Sequence, residues 1–361
     1  MKKLRIATVF SGIGAAEQAL EKMKIKYDVV FACDNGDIKI KNTEKEIKQN
    51  IFGMSQNQIN NFVKQLYLNT GKTNYVKQSY VSNYKISEEN WYDDIRFLDG
   101  NEYKNQVDLF VGGSPCQSFS IMGKKAGLKD ARGTLFYEFA RLVKQIQPKV
   151  FIYENVPGML SHDKGNTWKT IKNIFLQLGY KIHDSVLNSK DFGIPQNRKR
   201  LFVIGFKDKN VDFQFPKEIK LDRKMYDFLE SKVDSKYYLG RKGFEFVTNY
   251  KYKNRARVNS EIIQTQKANQ QFNWNGDFVF EPVEKVVNNS EIMKRAYVSQ
   301  WNGNLGVIRQ LSHRECLRLM GFSDSFKIVV PNVQAYRQAG NSIVVDVLEA
   351  IYKEIFKVKQ L

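Results

Sequence analysis

The sequence is poor in the residues that bind structural metals or form disulfide networks. It has three cysteines, Cys33, Cys116 and Cys316, at unrelated spacings, and only three histidines in 361 residues. Scattered cysteines of odd number do not form a disulfide framework and favour a reducing, cytoplasmic setting. No histidine lies near a cysteine or an acidic pair at metal-ligand spacing, so we expect no bound metal.

Long apolar runs are also missing. No stretch approaches the roughly 18 uncharged apolar residues of a membrane-spanning helix, so we expect no membrane contact. Residues 1–20 imitate a signal peptide, but Arg5 interrupts the apolar run, and glycines and Glu17 stand where a cleavage site would lie. We interpret them as the first strand and turn of the fold. No Walker-type phosphate loop occurs, which disfavours ATP hydrolysis.

The charge balance is strongly basic. Lys and Arg number 57 against 38 Asp and Glu, which gives a net charge of +19. Hydrophobic residues make up 42% and charged residues 26%, as in an ordinary globular protein. The excess of cations favours a polyanionic partner, most commonly nucleic acid, although a lysine-rich genomic bias would produce it as well.

Strand-like and helix-like segments alternate over the first half of the chain. The strand-like segments are 4–10, 29–33, 107–111, 150–153 and 201–206, and the amphipathic ones are 15–23, 135–145 and 167–178. This alternation predicts an α/β fold with a mainly parallel sheet and helices on both faces. In such sheets the working residues lie at the carboxyl ends of strands, where the sequence has Gly12, Asp34, Cys116 and Glu154.

Two regions interrupt the alternation. Residues 35–91 are rich in Asn, Lys and Gln, and we expect them to be a surface insertion. Residues 207–331 are irregular, aromatic and basic, and we expect a separate small domain there. The main domain would comprise residues 1–206 together with 332–361, ending in a helix over residues 341–357.

A glycine turn, FSGIG at residues 10–14, leaves the first strand and enters a helix. Glycines let a ligand approach the backbone closely, and a helix N-terminus favours negative charge. The turn either binds a nucleotide-like cofactor or only packs helix on strand, and the residue types leave both open. Asp34, one strand later, either accepts hydrogen bonds from ribose hydroxyls or caps its own loop.

The loop GSPCQ at residues 113–117 is more specific. A free cysteine is usually a small buried hydrophobe, yet Cys116 follows a proline in a polar loop at a strand end, where a thiolate can act as a nucleophile. Glu154 ends the next strand and is placed to face the thiol. The basic run at residues 196–200 is either a solvated face or a donor set for an anionic or carbonyl-bearing substrate.

Six segments, in order, resemble the motifs of the DNA (cytosine-5) methyltransferase family. They are FSGIGA at 10–15, GGSPCQSFS at 112–120, YENVPG at 153–158, QNRKRLFVIGF at 196–206, RQLSHRECLRLMGF at 309–322 and QAGNSIVVDVLEAI at 338–351. The resemblance implies a Rossmann-like, S-adenosylmethionine-dependent sheet plus a smaller target-recognition domain at 207–331. It places S-adenosylmethionine against Phe10, Gly12, Gly14, Asp34, Asp94, Ile95, Asn341 and Ser342.

The same resemblance implies a mechanism without a metal. A cytosine is flipped out of the duplex, because its ring cannot be reached inside the stack. The Cys116 thiolate attacks carbon 6 of that ring, while Glu154 hydrogen-bonds or protonates ring nitrogen 3. Arg200, together with Arg198, holds the carbonyl at position 2. Carbon 5 then takes the methyl group and loses its proton as Cys116 leaves.

The expected partner is double-stranded DNA, bound by a monomer in a prokaryotic cell or one carrying a phage gene. Residues 250–257 alternate cations with other residues; if the segment is extended, this period places the cations on one face toward phosphates, and a polar surface loop is the alternative. The amide-rich residues 264–271 are expected to read base edges, and residues 118–132 to form a glycine-hinged gate. The predicted DNA contacts are Gln117, Ser120, Arg132, Lys251, Lys253, Arg255, Arg257, Gln264 and Gln266.

Three other functions compete with this prediction. The same chemistry on tRNA is open, because one branch of the family methylates RNA. A catalytically inactive relative that only binds partners is disfavoured by the intact set of Cys116, Glu154 and Arg200. A dinucleotide oxidoreductase is favoured by the glycine turn alone. An accompanying restriction endonuclease that acts on the same site is compatible with the family resemblance.

Overall fold

The computed structural model describes residues 3–114, 135–252 and 256–358, which fall into two compact units. Unit 1 comprises Met1–Leu187, Lys199–Lys217 and Val347–Leu361, and unit 2 comprises Asn188–Arg198 and Glu218–Asp346. Within the described ranges no helix is long and apolar enough to cross a membrane.

The strands and helices are numbered in chain order. The strands are β1 (Leu4–Val9), β2 (Tyr27–Cys33), β3 (Trp91–Tyr92), β4 (Leu109–Gly112), β5 (Val150–Asn155), β6 (Lys181–Asn188), β7 (Gln196–Asn197), β8 (Lys199–Phe206), β9 (Arg257–Val258), β10 (Ile263–Gln264), β11 (Asp277–Pro282), β12 (Ser299–Trp301) and β13 (Asn304–Gln310). The α-helices are α1 (Ala15–Lys22), α2 (Glu44–Asn50), α3 (Gln56–Leu68), α4 (Tyr75–Asn83), α5 (Leu135–Ile146), α6 (Gly158–Ser161), α7 (Asn166–Gln177), α8 (Arg241–Thr248), α9 (Val283–Val286), α10 (Ser290–Arg295), α11 (His313–Arg318), α12 (Asn332–Asn341) and α13 (Val345–Lys357).

Unit 1 is built on a seven-stranded sheet with the order β3-β2-β1-β4-β5-β8-β6. The first five strands in this order are parallel, and β8 runs antiparallel to β5. The central strands are apolar runs whose side chains, such as Ile6, Phe110 and Phe151, are fully buried. Strands buried on both faces have this continuous hydrophobic pattern, so the predicted α/β fold with a mainly parallel sheet is confirmed.

Helix α5 supplies much of the hydrophobic core of unit 1. Its residues Phe136, Phe139, Leu142 and Val143 recur at helical spacing and are fully buried. The ring of Phe139 stacks on Phe110 of β4 with centroids 4.9 Å apart. The helix therefore fixes the strands whose ends lead toward the predicted site.

Residues 35–91, which we expected to be a surface insertion, contain regular secondary structure. They contain α2, α3 and α4, and two of these helices begin with capping boxes, at Thr43 and Ser55. Ile47, Val63 and Tyr67 are buried in a small core of this segment. The composition of this segment is polar because its helices expose their outer faces, while their inner faces pack in this small core.

Unit 2 contains a four-stranded sheet with the order β12-β13-β11-β9 and a two-stranded sheet of β10 and β7. Its larger hydrophobic cluster includes Leu239, Phe244, Phe278, Phe280 and Ile308. The region is therefore not without regular structure, but its strands are short and its connections long. This explains the weak periodicity of its sequence.

The units differ from the predicted domains, because residues 188–198 and 332–346 belong to unit 2 and residues 207–217 belong to unit 1. Arg198 explains part of the difference, since its guanidinium donates to the carbonyl oxygens of Gln266 at 2.8 Å and Gly340 at 2.9 Å. The helix predicted over 341–357 is likewise divided: α12 ends at Asn341, and α13 begins at Val345.

Candidate active site

The parallel strands of unit 1 end at one edge of the sheet. Val9 of β1 pairs with Cys33 of β2 and with Gly112 of β4, and Gly112 pairs with Tyr153 of β5. The residues that follow these positions therefore meet at a common edge. The glycine turn, Asp34, the loop toward Cys116, and Glu154 all lie there, as the sequence predicts.

The glycine turn has a backbone that few other residues adopt. Gly12 and Gly14 have φ angles of +54° and +79°, and Phe10 has +52°, which is uncommon for a bulky residue. The Cys33 amide donates to Ser11 Oγ at 3.0 Å, which ties the turn to β2. A Cβ built on Gly12 would meet nothing within 4 Å, so this side of the turn has room for a ligand.

Asp34 caps the glycine turn as well as its own loop. One carboxylate oxygen accepts the Gly12 amide at 3.0 Å, and the other accepts the Gly36 amide at 2.8 Å. Desolvation raises the pKa of Asp34 to about 6, against the lowering effect of these two amides. Each oxygen keeps a second lone pair, so the carboxylate can still accept a ribose hydroxyl.

Asp94 and Ile95 lie just after β3, and both side chains are buried. Asp94 accepts hydrogen bonds from Arg96 Nε at 3.0 Å and from the Tyr67 hydroxyl at 3.0 Å. Asp94 therefore helps to fix the loop after β3. Asp34, an acidic acceptor next to the open glycine turn, fits a ligand that carries hydroxyls, as S-adenosylmethionine does.

Asn341 and Ser342, the other expected cofactor residues, belong to unit 2. Asn341 is the last residue of α12, and Ser342 follows with an extended backbone. The Ser342 carbonyl oxygen accepts a hydrogen bond from Arg198 Nη2 at 2.8 Å. Their role toward the cofactor stays a prediction.

Cys116 lies outside the described residues, as do Gln117, Ser120, Arg132 and the predicted gate at 118–132. The described chain leads toward Cys116 as far as Ser114. A Cβ built on Gly113 would lie 2.7 Å from the Glu154 carbonyl oxygen and 3.0 Å from its carboxylate Oε2. Only glycine allows this approach, which brings the start of the loop directly against Glu154.

Asn155 holds the same loop by its backbone, a role that the residue pattern alone did not indicate. Its buried side-chain amide donates to the Ser114 carbonyl oxygen at 2.9 Å and to the Tyr153 hydroxyl at 3.1 Å. The Ser114 and Tyr153 hydroxyls lie 2.7 Å apart. The segment before Cys116 is thus fixed by side chains of β5, and the only sequence signal for it was the Glu-Asn pair.

The two predicted arginines have different surroundings. Arg200 is in unit 1, and its Nε lies 3.1 Å from Glu154 Oε1. Arg198 is in unit 2, 3% exposed, with its guanidinium on the carbonyl oxygens of Gln266, Gly340 and Ser342. Arg200 thus pairs with Glu154, whereas the Arg198 guanidinium bonds to backbone carbonyl oxygens of unit 2, a structural position that the sequence did not predict.

The predicted extended segment at 250–257 is described only in part. The Tyr252 amide donates to the Asn249 carbonyl oxygen, so residues 249–252 form a turn rather than an extended strand, and β9 begins at Arg257. Lys251 is exposed, whereas Lys253 and Arg255 lie outside the described residues, so their alternation stays a prediction.

Two of the predicted DNA contacts are engaged inside unit 2. Arg257 Nε lies 3.2 Å from Asp277 Oδ1, and a second guanidinium nitrogen donates to the Ile262 carbonyl oxygen. Gln266 is 2% exposed and donates to the Cys316 carbonyl oxygen at 3.3 Å. Gln266 is therefore too buried in this conformation to reach a base edge, and Arg257, which was predicted to meet a phosphate, already has partners inside unit 2. Gln264 is exposed.

Unit 2 also carries a surface that motif analysis did not find. The rings of Phe246 and Tyr252 lie 5.0 Å apart, those of Phe246 and Trp274 5.9 Å, and all three are at least 36% exposed. Trp274 lines a cavity of about 490 Å³ together with Arg241 and Lys242. We call Arg241, Lys242, Phe246, Tyr252 and Trp274 the aromatic-basic surface. In the sequence, only the many aromatic residues of this region indicated it.

Comparisons with known proteins identify the family. The chain is 38% identical to the Type II methyltransferase M.HhaI of Haemophilus parahaemolyticus, over 68% of this chain and 74% of that protein. It is 36% identical to M1.ScrFI of Lactococcus lactis subsp. cremoris over 73% of this chain and 66% of that protein. The orphan methyltransferase M.SPRI of Bacillus phage SPR is 27% identical over 98% of both chains.

Solved structures support the fold. The Entamoeba histolytica methyltransferase EhMeth has a TM-score of 0.67 over 99% of both chains, at 19% identity. The S. pombe Dnmt2 methyltransferase has a TM-score of 0.66 over 99% of this chain and 100% of that one, also at 19% identity. The model of the C-5 cytosine-specific DNA methylase family matches residues 54–357. The chain therefore belongs to this family, and it is a methyltransferase whose methyl donor is S-adenosylmethionine.

Proposed function

We propose that this protein methylates carbon 5 of a cytosine within a specific sequence of double-stranded DNA. The contact of Gly113 with Glu154 carries the proposal, because it brings the loop that leads to Cys116 against the acid that this chemistry needs. The ion pair of Glu154 with Arg200 adds a cation at the same edge of the sheet. The DNA methyltransferases among the relatives support the reaction class.

In the proposed mechanism, the cofactor supplies an electrophilic methyl group on a sulfonium. The Cys116 thiolate adds to carbon 6 of a flipped-out cytosine, which raises the electron density at carbon 5. Glu154, in its protonated form, donates a hydrogen bond or its proton to ring nitrogen 3 and so stabilises the negative charge that forms on the ring. Arg200 holds the Glu154 carboxylate and faces the neighbouring carbonyl oxygen of the base. After methyl transfer, a water molecule takes the proton from carbon 5, the double bond between carbons 5 and 6 re-forms, and Cys116 leaves as a thiolate.

The proposed DNA contacts in unit 2 come from the aromatic-basic surface and from Lys251 and Gln264. Cations that meet phosphates supply affinity without sequence preference, whereas exposed amides and aromatic side chains can contact base edges. The net charge of +19 agrees with a polyanionic partner. Action as a monomer in the cytoplasm and an accompanying restriction endonuclease are further parts of this proposal.

The test is direct methylation sequencing of DNA and tRNA from a host that expresses the protein. We expect 5-methylcytosine at one recurring DNA sequence, and its absence with Cys116→Ala. DNA with 5-fluorocytosine at that sequence should trap the wild type covalently, because carbon 5 then has no removable proton. Methylation found only in tRNA would replace the DNA proposal with the tRNA alternative.

A further inference from the structure

We propose that the segment 35–91 is a working part of the cofactor pocket, in which Tyr67, Asn74, Tyr80 and Tyr84 position the residues that bind S-adenosylmethionine. This inference rests on the proposed function and goes beyond it, because it assigns a role to a segment that the sequence presents as a surface insertion. All four side chains belong to unit 1, as do the residues they contact. Each contact involves a different part of the predicted cofactor site.

Tyr84, at the end of α4, packs on the glycine turn. A Cβ built on Gly14 would overlap the Tyr84 ring, so the ring lies directly against the backbone of the turn. Tyr84 is 4% exposed, and its ring lies 5.1 Å from that of Tyr80. This packing supports the left-handed backbone of the turn from the side of the inserted segment.

Tyr80, one turn earlier in α4, contacts helix α1, which follows the glycine turn. Its hydroxyl donates to Glu17 Oε1 at 2.5 Å, and Thr8 Oγ1 lies 3.2 Å from the same oxygen. Thr8 Oγ1 also lies 2.8 Å from Ser11 Oγ, within the turn. A polar chain therefore runs from the inserted helix through Glu17 and Thr8 to Ser11.

Asn74, which caps the N-terminus of α4, holds the loop of Asp34. Its side-chain amide donates to the Asp34 carbonyl oxygen at 2.9 Å and to Asp93 Oδ1 at 3.3 Å. Its side-chain oxygen accepts the Lys77 amide at 3.0 Å. One residue thus links the start of the helix to the ends of both β2 and β3.

Tyr67, in α3, holds the loop after β3. Its hydroxyl donates to Asp94 Oδ2 at 3.0 Å, and its ring is buried in the core of the segment. Asn60, two turns earlier, donates to the Trp91 carbonyl oxygen at 3.3 Å. An insertion that only covered the surface would not place buried polar groups at the ends of β1, β2 and β3.

The experiment compares Tyr67→Phe, Asn74→Asp and Tyr80→Phe in the full chain with matched controls. Tyr226→Phe also removes one hydroxyl hydrogen bond, to the Asn259 carbonyl oxygen, but in unit 2. Asn304→Asp makes the same amide-to-acid change in unit 2, where the amide donates to the Asn302 carbonyl oxygen at 3.3 Å. Calorimetry would measure the Kd for S-adenosylhomocysteine, and steady-state kinetics the KM for S-adenosylmethionine and for DNA.

We expect the first three variants to raise the Kd and the cofactor KM about tenfold each, as for the loss of one hydrogen bond to a charged or buried group. The kcat and the KM for DNA should change less than twofold, and both controls should match the wild type. A purely structural role would lower the melting temperature without this selective rise in the cofactor KM.

Hydrogen exchange of the wild type gives a second, independent readout. Binding of S-adenosylhomocysteine should slow amide exchange in residues 65–84 as well as in residues 10–14. Unchanged exchange in 65–84, or variants that bind like the wild type, would overturn the inference while leaving the proposed function intact. A wild type that binds neither cofactor nor its product would instead refute the proposed function.

Discussion

Arg200 Nε lies 3.1 Å from Glu154 Oε1, although the two residues are far apart in the chain. Strand pairing brings them together, because β8 runs antiparallel to β5 with Glu154 opposite Phe202. Arg200 is two positions before Phe202 and so lies on the same face of the sheet. The pair lies beside Gly113, where the loop toward Cys116 begins.

The first prediction concerns this pair. Glu154→Gln should lower the single-turnover rate of methyl transfer about 10²- to 10⁴-fold, the usual contribution of a general acid–base group. Arg200→Ala should lower the same rate, because the carboxylate loses this ion pair. Glu354→Gln, which breaks an ion pair with Lys357 on α13, serves as the control and should leave the rate unchanged. A Glu154→Gln protein with wild-type rate would remove this residue from the mechanism.

The second prediction concerns Asn155. Asn155→Ala leaves the buried Ser114 carbonyl oxygen without its donor, so the loop before Cys116 should lose its fixed position. We expect a slower formation of the covalent adduct with 5-fluorocytosine DNA and an unchanged Kd for S-adenosylhomocysteine. If adduct formation and S-adenosylhomocysteine binding weaken equally, Asn155 supports the whole unit rather than this loop.

The third prediction concerns pH. Burial raises the pKa of Glu17 from 4.5 to about 7, while its hydrogen bonds with Tyr80 and Thr8 act in the opposite direction. Between these values the folded state binds more protons than the unfolded state, so this group makes stability fall as pH rises from about 4.5 to 7. The total loss is on the order of 3 kcal/mol.

Glu17→Gln should remove this part of the pH dependence and leave the rest in place. Urea denaturation of both proteins at several pH values would measure the difference in the free energy of unfolding. As pH rises, we expect the free energy of unfolding of the variant to increase relative to that of the wild type. The difference between the two should become constant above pH of about 7. A constant difference from pH 4.5 upward would show that Glu17 is ionised in the folded protein.

The fourth prediction concerns the stability of unit 2. Arg309 and Glu315 are 1% and 0% exposed by side chain and form two hydrogen bonds, at 2.8 and 2.9 Å. Glu315→Gln should destabilise the protein by about 3–5 kcal/mol, because the buried Arg309 guanidinium loses the Glu315 carboxylate and keeps the ion pair with Glu281. Asp28→Asn, which breaks an exposed pair with Lys3, should cost less than about 1 kcal/mol. Thermal and urea unfolding would compare the two.

The fifth prediction concerns DNA binding by unit 2. Replacing Arg241 and Lys242 with Gln should weaken binding to all DNA and reduce the salt slope of log K by about one for each lost phosphate contact. Lys353→Gln, an exposed change on α13, is the control. Gln264→Ala should lower the discrimination between the methylated sequence and its single-base variants by about 1–3 kcal/mol, because a base loses its contact with the amide.

Gln266→Ala and Arg257→Gln should behave differently from Gln264→Ala, because their side chains are bonded inside unit 2. We expect lower melting temperatures and an unchanged methylated sequence. A changed sequence preference with normal stability would show that these side chains leave their internal partners when DNA binds.

Much of the site follows from local patterns. The alternation of strands and helices predicts a parallel sheet, and parallel strands end at one edge, so the positions of Asp34 and Glu154 follow from chain order. The motif resemblance correctly identified the family, the enzyme class and the cofactor. These features depend on residue type and short spacing, which a sequence displays directly.

Other features depend on contacts between distant residues. Arg198 and Arg200 stand two positions apart in one motif, yet one bonds to carbonyl oxygens of unit 2 and the other to Glu154. Gln266 has a polar side chain, yet this side chain is buried and donates a hydrogen bond to the Cys316 carbonyl oxygen. Tyr67 of the polar segment 35–91 donates to Asp94, which lies beyond the end of that segment. Local periodicity specifies the faces of helices and strands, but only tertiary packing decides which partner each polar group meets.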